Sequence, residues 1–396
     1  MPLDLTHITI QIEAMSETTA GDEYRERIDI GQALLRTVDP KELRDKYHER
    51  KSKNVRMPWA QAYVPYSLAE TFPAPLPPRN FGVAAADGSD IPPDRHSPAR
   101  FAVINTGSVF LQYGDAPAAE MTTQAQLLFA EEMWLLGDDE EEYIEKELEG
   151  PLLAARRAVE ELEALWEVCR GRPMPIVALD DGQLILWPIQ REPQPIRDLL
   201  VGPFVETLEK FRQAGIPVAS YISFTSAKDI VYALRSWACQ GPTIRRCETC
   251  DCPAAFRHWS LSLKDLRDRH LFETLRPGER SDIFVPESPI LADYGSHSIE
   301  FFYVNVGGEI ARVEAPQWVM RDRALLDLVH AVIVDQCQRS VAYPPYPPIL
   351  QEAHEQAVIP TGERRVIEQM VEEALQRQGA IYMRGGKDRS KRIRTV

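Results

Sequence analysis

Hydrophobic and polar positions follow two regimes along the chain. Over residues 23–36 the apolar positions Ile28, Ile30, Ala33, Leu34 and Leu35 recur at helical spacing. Residues 41–53 are densely charged, and a proline-rich stretch at 72–78 ends any helix. The pattern predicts an N-terminal helical and irregular arm over 1–80, suited to packing on a partner or a second copy.

From Phe81 onward, short apolar runs ended by glycine replace the helical period, as expected of buried strands. Runs at 81–87, 101–106 and 109–113 predict three strands. The last two flank Gly107-Ser108, which predicts a tight hairpin. A long helix is predicted over 140–170, with Leu148, Leu152, Ala155, Val159, Leu162, Leu165, Trp166 and Cys169 on one stripe. A strand follows at 176–179. Next come a helix at 198–214, a strand at 218–223 and a helix at 227–238. A cysteine-bearing insert, 239–258, breaks this rhythm. A hairpin around Gly307-Gly308, a helix over 321–339, a Tyr-Pro segment and a helix from Thr361 to about Gln378 complete the chain.

Three strands in a meander, a crossover helix and a fourth strand parallel to the first make a ribonuclease-H-like core, with the crossover right-handed. The predicted fold is therefore α/β: a mixed sheet with flanking helices, an N-terminal helical arm and a Cys-bearing insert. The main domain would span 81–380, followed by a basic tail at 381–396.

This topology gives two Asp-Gly pairs a meaning beyond that of turns. Asp87-Gly88 and Asp181-Gly182 each end an apolar run. On adjacent parallel strands the two acids would lie side by side at one sheet end. Like charges so placed call for a cation between them, and a hard divalent metal suits carboxylate oxygens. The helix between them offers a third carboxylate. Glu161 borders the buried stripe and is preferred, with Glu160 and Glu163 in reserve and Glu167 one turn on. Three carboxylates holding Mg²⁺ or Mn²⁺ point to phosphodiester hydrolysis.

Charge narrows this picture. The chain carries a net −15 with pI near 5.1, against nucleic-acid binding by bulk charge. The tail, with Lys387, Arg389, Lys391, Arg392 and Arg394, is the basic exception; it reads as a solvated end or as a contact to DNA or an acidic partner. Lys228 and Arg235 are further candidate phosphate contacts. No apolar run is long enough for a membrane span, and the first residues do not resemble a secretory leader, so a cytoplasmic location is expected. No P-loop sequence occurs, so ATP-driven strand feeding would fall to a partner. Cys239, Cys247, Cys250 and Cys252 form a Cys-x7-Cys-x2-Cys-x-Cys array. This array reads as reduced loop thiols, as a structural Zn²⁺ site or as an iron–sulfur site, with His258 a further possible ligand.

The residues also resemble a family, the NurA nucleases, which work with the HerA hexameric translocase in DNA-end processing. The matching segments are Gly82-Val-Ala-Ala-Ala-Asp87-Gly-Ser89, Leu179-Asp-Asp181-Gly-Gln-Leu184, Ala219-Ser-Tyr221-Ile-Ser223, Phe302-Tyr303-Val and the stretch from Tyr346 through His354 to Ile359. The resemblance implies an Mn²⁺-dependent 5′-to-3′ nuclease that forms a ring-like homodimer. It implies metal binding by Asp87, the helix Glu161 and Asp181, with His354 at the active site and Tyr221 near it. One departure is Asp180-Asp181-Gly-Gln, where the family more often has a single Asp before Gly-Ser; Asp181 is chosen because, like Asp87, it precedes glycine. Two other functions fit the chain: a non-catalytic partner- or DNA-binding module of the same fold, and a scaffold organised by the cysteine array.

Overall fold

The computed structural model describes residues 8–379, apart from 10, 14, 17–20, 56–58, 96, 98, 139–142, 173–174, 242–246 and 248–249. The basic tail at 381–396, with Arg389, lies outside the described residues. The chain divides into two compact units. The one bearing the Asp-Gly pairs comprises 77–220, 289–298 and 346 onward.

In that unit β1 (Phe81–Ile91), β2 (Phe101–Tyr113) and β3 (Ala118–Phe129) form an antiparallel meander. A short hairpin follows, β4 (Trp134–Asp138) with β5 (Tyr143–Glu147). Helix α1 (Pro151–Cys169) then crosses over, and β6 (Ile176–Asp181) pairs parallel to β1. Helix α2 (Gln194–Ala214) leads to β7 (Val218–Ile222), which lies beside β6 and whose last residues pass into the second unit. The sheet order β3-β2-β1-β6-β7 is the ribonuclease-H-like core predicted from the sequence. Helices α3 (Pro348–Ala357) and α4 (Thr361–Arg377) complete the unit.

Burial explains these elements. Val83 to Ala86 and Ile176 to Leu179 are at most 1% exposed, so β1 and β6 are covered on both faces and read as unbroken apolar runs. Helix α1 opens with proline at its first turn and buries Leu152, Val159, Leu162 and Leu165 against β1, β2 and β6. Full burial of each such side chain contributes roughly 1.5–3 kcal/mol, enough to fix the rotation of the helix about its axis.

Three details differ from the sequence expectation. The first is that residues 107–108 form no hairpin; β2 runs unbroken through them to Tyr113, and the third strand is 118–129. Gly107 is required there because α3 packs directly on it: a Cβ would come within 2.5 Å of the Ala357 nitrogen and 2.7 Å of the Ala353 oxygen. The second is that the crossover helix starts at Pro151 rather than 140, because residues 143–147 pair as a strand. The third is that Asp87-Gly88 is not a turn, since β1 continues to Ile91.

The second unit comprises 1–76, 221–288 and 299–345. Leu34, Leu35, Val38 and Leu43 of its N-terminal helices share a core with Ile230, Leu234, Leu271 and Tyr303. Its strands run in the order Thr71–Pro73, Glu279–Ser281, Ile299–Asn305, Ile310–Pro316, and the last two form the hairpin predicted around Gly307-Gly308. Among the described residues no helix is long and apolar enough to cross a membrane.

Candidate active site

The parallel register of β1 and β6 pairs Ala86 with Asp180, so Asp87 and Asp181 are the next residues on adjacent strands. Successive strand residues point to opposite faces, which sends Asp180 and Asp181 to different sides. Asp181 is the one that shares a site with Asp87 and His354: the charges of both act on its carboxyl. Burial, first of all, pushes that carboxyl up, and Asp87 adds to the rise; a hydrogen bond from Tyr346 and the charge of His354 pull it down.

Glu161 comes to the same place from α1. It is the charged member of an otherwise apolar buried stripe, 8% exposed. Burial, opposed by Arg157 and reinforced by Asp87 and Asp181, pushes its carboxyl up to about 7. Gly88 makes room for it: a Cβ there would stand 2.4 Å from Glu161 Oε1 and 2.9 Å from its Cγ. The glycine after Asp87 therefore admits the helix carboxylate to the strand.

The alternatives on the helix face elsewhere. Glu160, Glu163 and Glu167 line a groove of about 320 Å³ together with Glu120, Thr122 and Gln124 of β3. Glu160 is ion-paired with Arg156.

His354 arrives from α3. Its Nδ1 lies 2.7 Å from Asp87 Oδ2, while Asp87 Oδ1 accepts the Gly88 backbone N–H at 2.7 Å. The imidazole is 56% exposed and open to a substrate. Helix α3 is fastened at its C-terminal end: the Ala357 carbonyl accepts from Ser89 Oγ at 2.5 Å and from Asn105 Nδ2 at 2.7 Å.

The structure thus brings together Asp87, Glu161, Asp181 and His354. Tyr221 belongs to the other compact unit. That side chain is buried in the second unit, where its hydroxyl donates to Glu309 Oε1 at 2.6 Å, and burial pushes its hydroxyl far above the usual range. The two lesser phosphate candidates are engaged as well: Lys228 Nζ donates to the Lys264 carbonyl at 2.8 Å, and Arg235 stacks 4.5 Å from the Trp59 ring centroid.

Sequence reasoning missed three residues. Arg157 lies with its Nε 3.0 Å from Glu161 Oε1 and its Nη1 2.6 Å from Asp90 Oδ1. Its i,i+4 spacing from Glu161 was the available signal for that contact; nothing in the sequence pointed to Asp90. Tyr346, which supports Asp181, opens the segment that carries His354.

Among the described residues no three His, Cys, Asp or Glu side chains stand as a ready-made metal shell. Arg157 lies against Glu161 and His354 against Asp87. The donor set nevertheless suits a hard divalent cation: the charge of Asp87 raises the proton affinity of both Glu161 and Asp181, and Glu161 is buried. Such a cation would take the place of the proton that Glu161 holds at about neutral pH.

No curated protein matches the chain at a significant level. The sequence profile described as the NurA domain matches residues 81–359, well over half the chain and from the first residue of β1 to just past α3. The chain belongs to the NurA-domain family.

Proposed function

We propose that this NurA-family chain is a metal-dependent deoxyribonuclease, cutting DNA 5′ to 3′ from ends, with single-strand endonuclease cleavage as a related activity. The observation that carries the reading is the convergence of Asp87, Glu161 and Asp181 from two parallel strands and the helix that crosses between them. These three would hold Mn²⁺ or Mg²⁺. The metal, when bound, activates a water and stabilises the leaving oxygen of the phosphodiester.

The chain's own residues do the rest. Gly88 N–H and His354 fix the orientation of Asp87. With Nδ1 engaged by Asp87, the exposed imidazole keeps Nε2 free to give a proton to the leaving oxygen. Arg157 holds Glu161 beside β1, and Tyr346 favours the ionised form of Asp181. The work would be end resection in double-strand break repair, in the cytoplasm, as a homodimer with a HerA-type ATPase. An acidic chain without a P-loop fits a nuclease to which a motor delivers DNA.

Cleavage of DNA labelled at either 5′ or 3′ ends, with Mn²⁺, Mg²⁺ or EDTA and with and without a cognate translocase, tests this. Metal-dependent loss of the 5′ label first supports it; digestion insensitive to EDTA refutes it. A second reading, a non-catalytic binding module of the same fold, is favoured by the acidic net charge and by Gln183 after Asp181-Gly182. Negligible Mn²⁺ binding by the purified chain would establish that reading.

A further inference from the structure

The second unit places all four cysteines of the array around one small cavity. Cys239 caps the C-terminal end of helix Asp229–Ala238, and Cys250 and Cys252 immediately precede helix Ala254–Ser262. Together with Cys247 they line a cavity of about 10 Å³. That is the room of roughly one water-sized sphere, enough for a single ion. Cys252 is buried, and Trp237, Phe256 and Trp259 pack beside the site in mutual ring contact.

The setting is cationic. Arg235 and Arg257 line the same cavity. Cys250 and Cys252 sit at the positive end of the helix that follows them. In this structure Cys247 Sγ lies 3.1 Å from Ser260 Oγ, and Cys250 Sγ donates to the Cys247 carbonyl at 3.6 Å. The thiols thus line the space, and among the described residues they do not stand as a ready-made shell.

We propose that Cys239, Cys247, Cys250 and Cys252 bind one Zn²⁺ as a structural site, separate in residues and in chemistry from the carboxylate site. Loading would release four thiol protons and leave a tetrathiolate complex of net charge −2, opposite Arg235 and Arg257. Soft sulfur selects Zn²⁺ over the hard Mn²⁺ or Mg²⁺ of the carboxylates. The ion would clip helix Asp229–Ala238 to helix Ala254–Ser262. The inference does not depend on the nuclease reading.

The test is elemental analysis of the purified full chain, with Co²⁺ replacement read by its sulfur-to-cobalt charge-transfer absorption. One zinc per chain is expected. It should persist in the Asp87→Ala/Asp181→Ala protein and be lost in Cys247→Ser/Cys250→Ser. Should the cysteine variant fail to fold, titration of the wild-type thiols with a mercurial while released zinc is followed by dye gives the same answer: release of one equivalent supports the site. Absence of zinc together with no cobalt–thiolate absorption overturns the proposal, and iron in place of zinc does so equally.

Discussion

Replacing Gly107 with alanine should disable the active site without touching any residue in it. The new Cβ would lie 2.5 Å from the Ala357 nitrogen, 2.6 Å from the Gln356 carbonyl carbon and 2.7 Å from the Ala353 oxygen. All three are backbone atoms, so no side chain can swing aside. Ordinary contact starts at 3.4 Å, so α3 must retreat from β2 by about 0.9 Å. Overpacking of this kind costs about 1–3 kcal/mol. The retreat also strains the bonds that Ser89 and Asn105 donate to the Ala357 carbonyl, each contributing about 1 kcal/mol. The expected destabilisation is therefore about 2–4 kcal/mol, a fall in Tm on the order of 5–15 °C. The same movement carries His354 away from Asp87, now 2.7 Å apart, and a misplacement of about 1 Å can cost on the order of 100-fold in rate. Thermal unfolding followed by circular dichroism, with DNA cleavage rates measured well below Tm, reads both effects. A Gly107→Ala protein with wild-type Tm and wild-type cleavage would refute the claim that this glycine seats the histidine helix.

Further outcomes follow from the same geometry. Gly202→Ala, inside α2 with nothing within 4 Å of the new Cβ, should raise stability by about 0.5–1 kcal/mol, measured by denaturant titration; a destabilised protein would show that the helix interior there is tighter than described. Glu161 is raised from 4.5 to about 7, so its contribution to stability is complete below pH 4.5 and is lost as pH climbs through 7, roughly 3 kcal/mol in all. Metal-free wild type should therefore lose Tm between pH 5 and 8 relative to Glu161→Gln, and added Mn²⁺ should restore it in wild type alone; parallel pH profiles of the two proteins would contradict this. Tyr346→Phe removes the hydrogen bond that holds Asp181 down, so the acid limb of the cleavage pH profile should move to higher pH with the fold intact; an unmoved limb would count against Asp181 as a working carboxylate.

How much of this was legible in the sequence depends on which signal each feature leaves. The β1–β6 pair was readable because strands buried on both faces must be apolar throughout, and that leaves unbroken runs. Glu161 was readable because Leu162 and Leu165 fix the stripe it borders. His354 was not readable from chemistry: its bond to Asp87 spans 267 residues, and only family likeness pointed to it. Gly107 was misread as a turn because glycine serves close approach and turns alike, and the α3 backbone that needs the space lies some 250 residues further on. Residues 143–147 were read as the start of the helix because glutamate-rich sequence favours helix locally, and tertiary pairing of 134–138 with 143–147 overrides that preference. Arg157 escaped notice because an arginine on a helix is ordinarily a surface residue; burial beside Glu161 and Asp90 gives it a role that no local pattern announces.

Calorimetric titration of the purified chain with Mn²⁺, paired with cleavage of end-labelled DNA and repeated on Asp87→Ala and Asp181→Ala, bears most directly on the central claim. The account predicts Mn²⁺ binding by the wild type at the carboxylates and metal-dependent cleavage, with both lost in each variant while Tm is kept. Full cleavage by either variant, or Mn²⁺ binding that survives both substitutions, would contradict the assignment of these carboxylates.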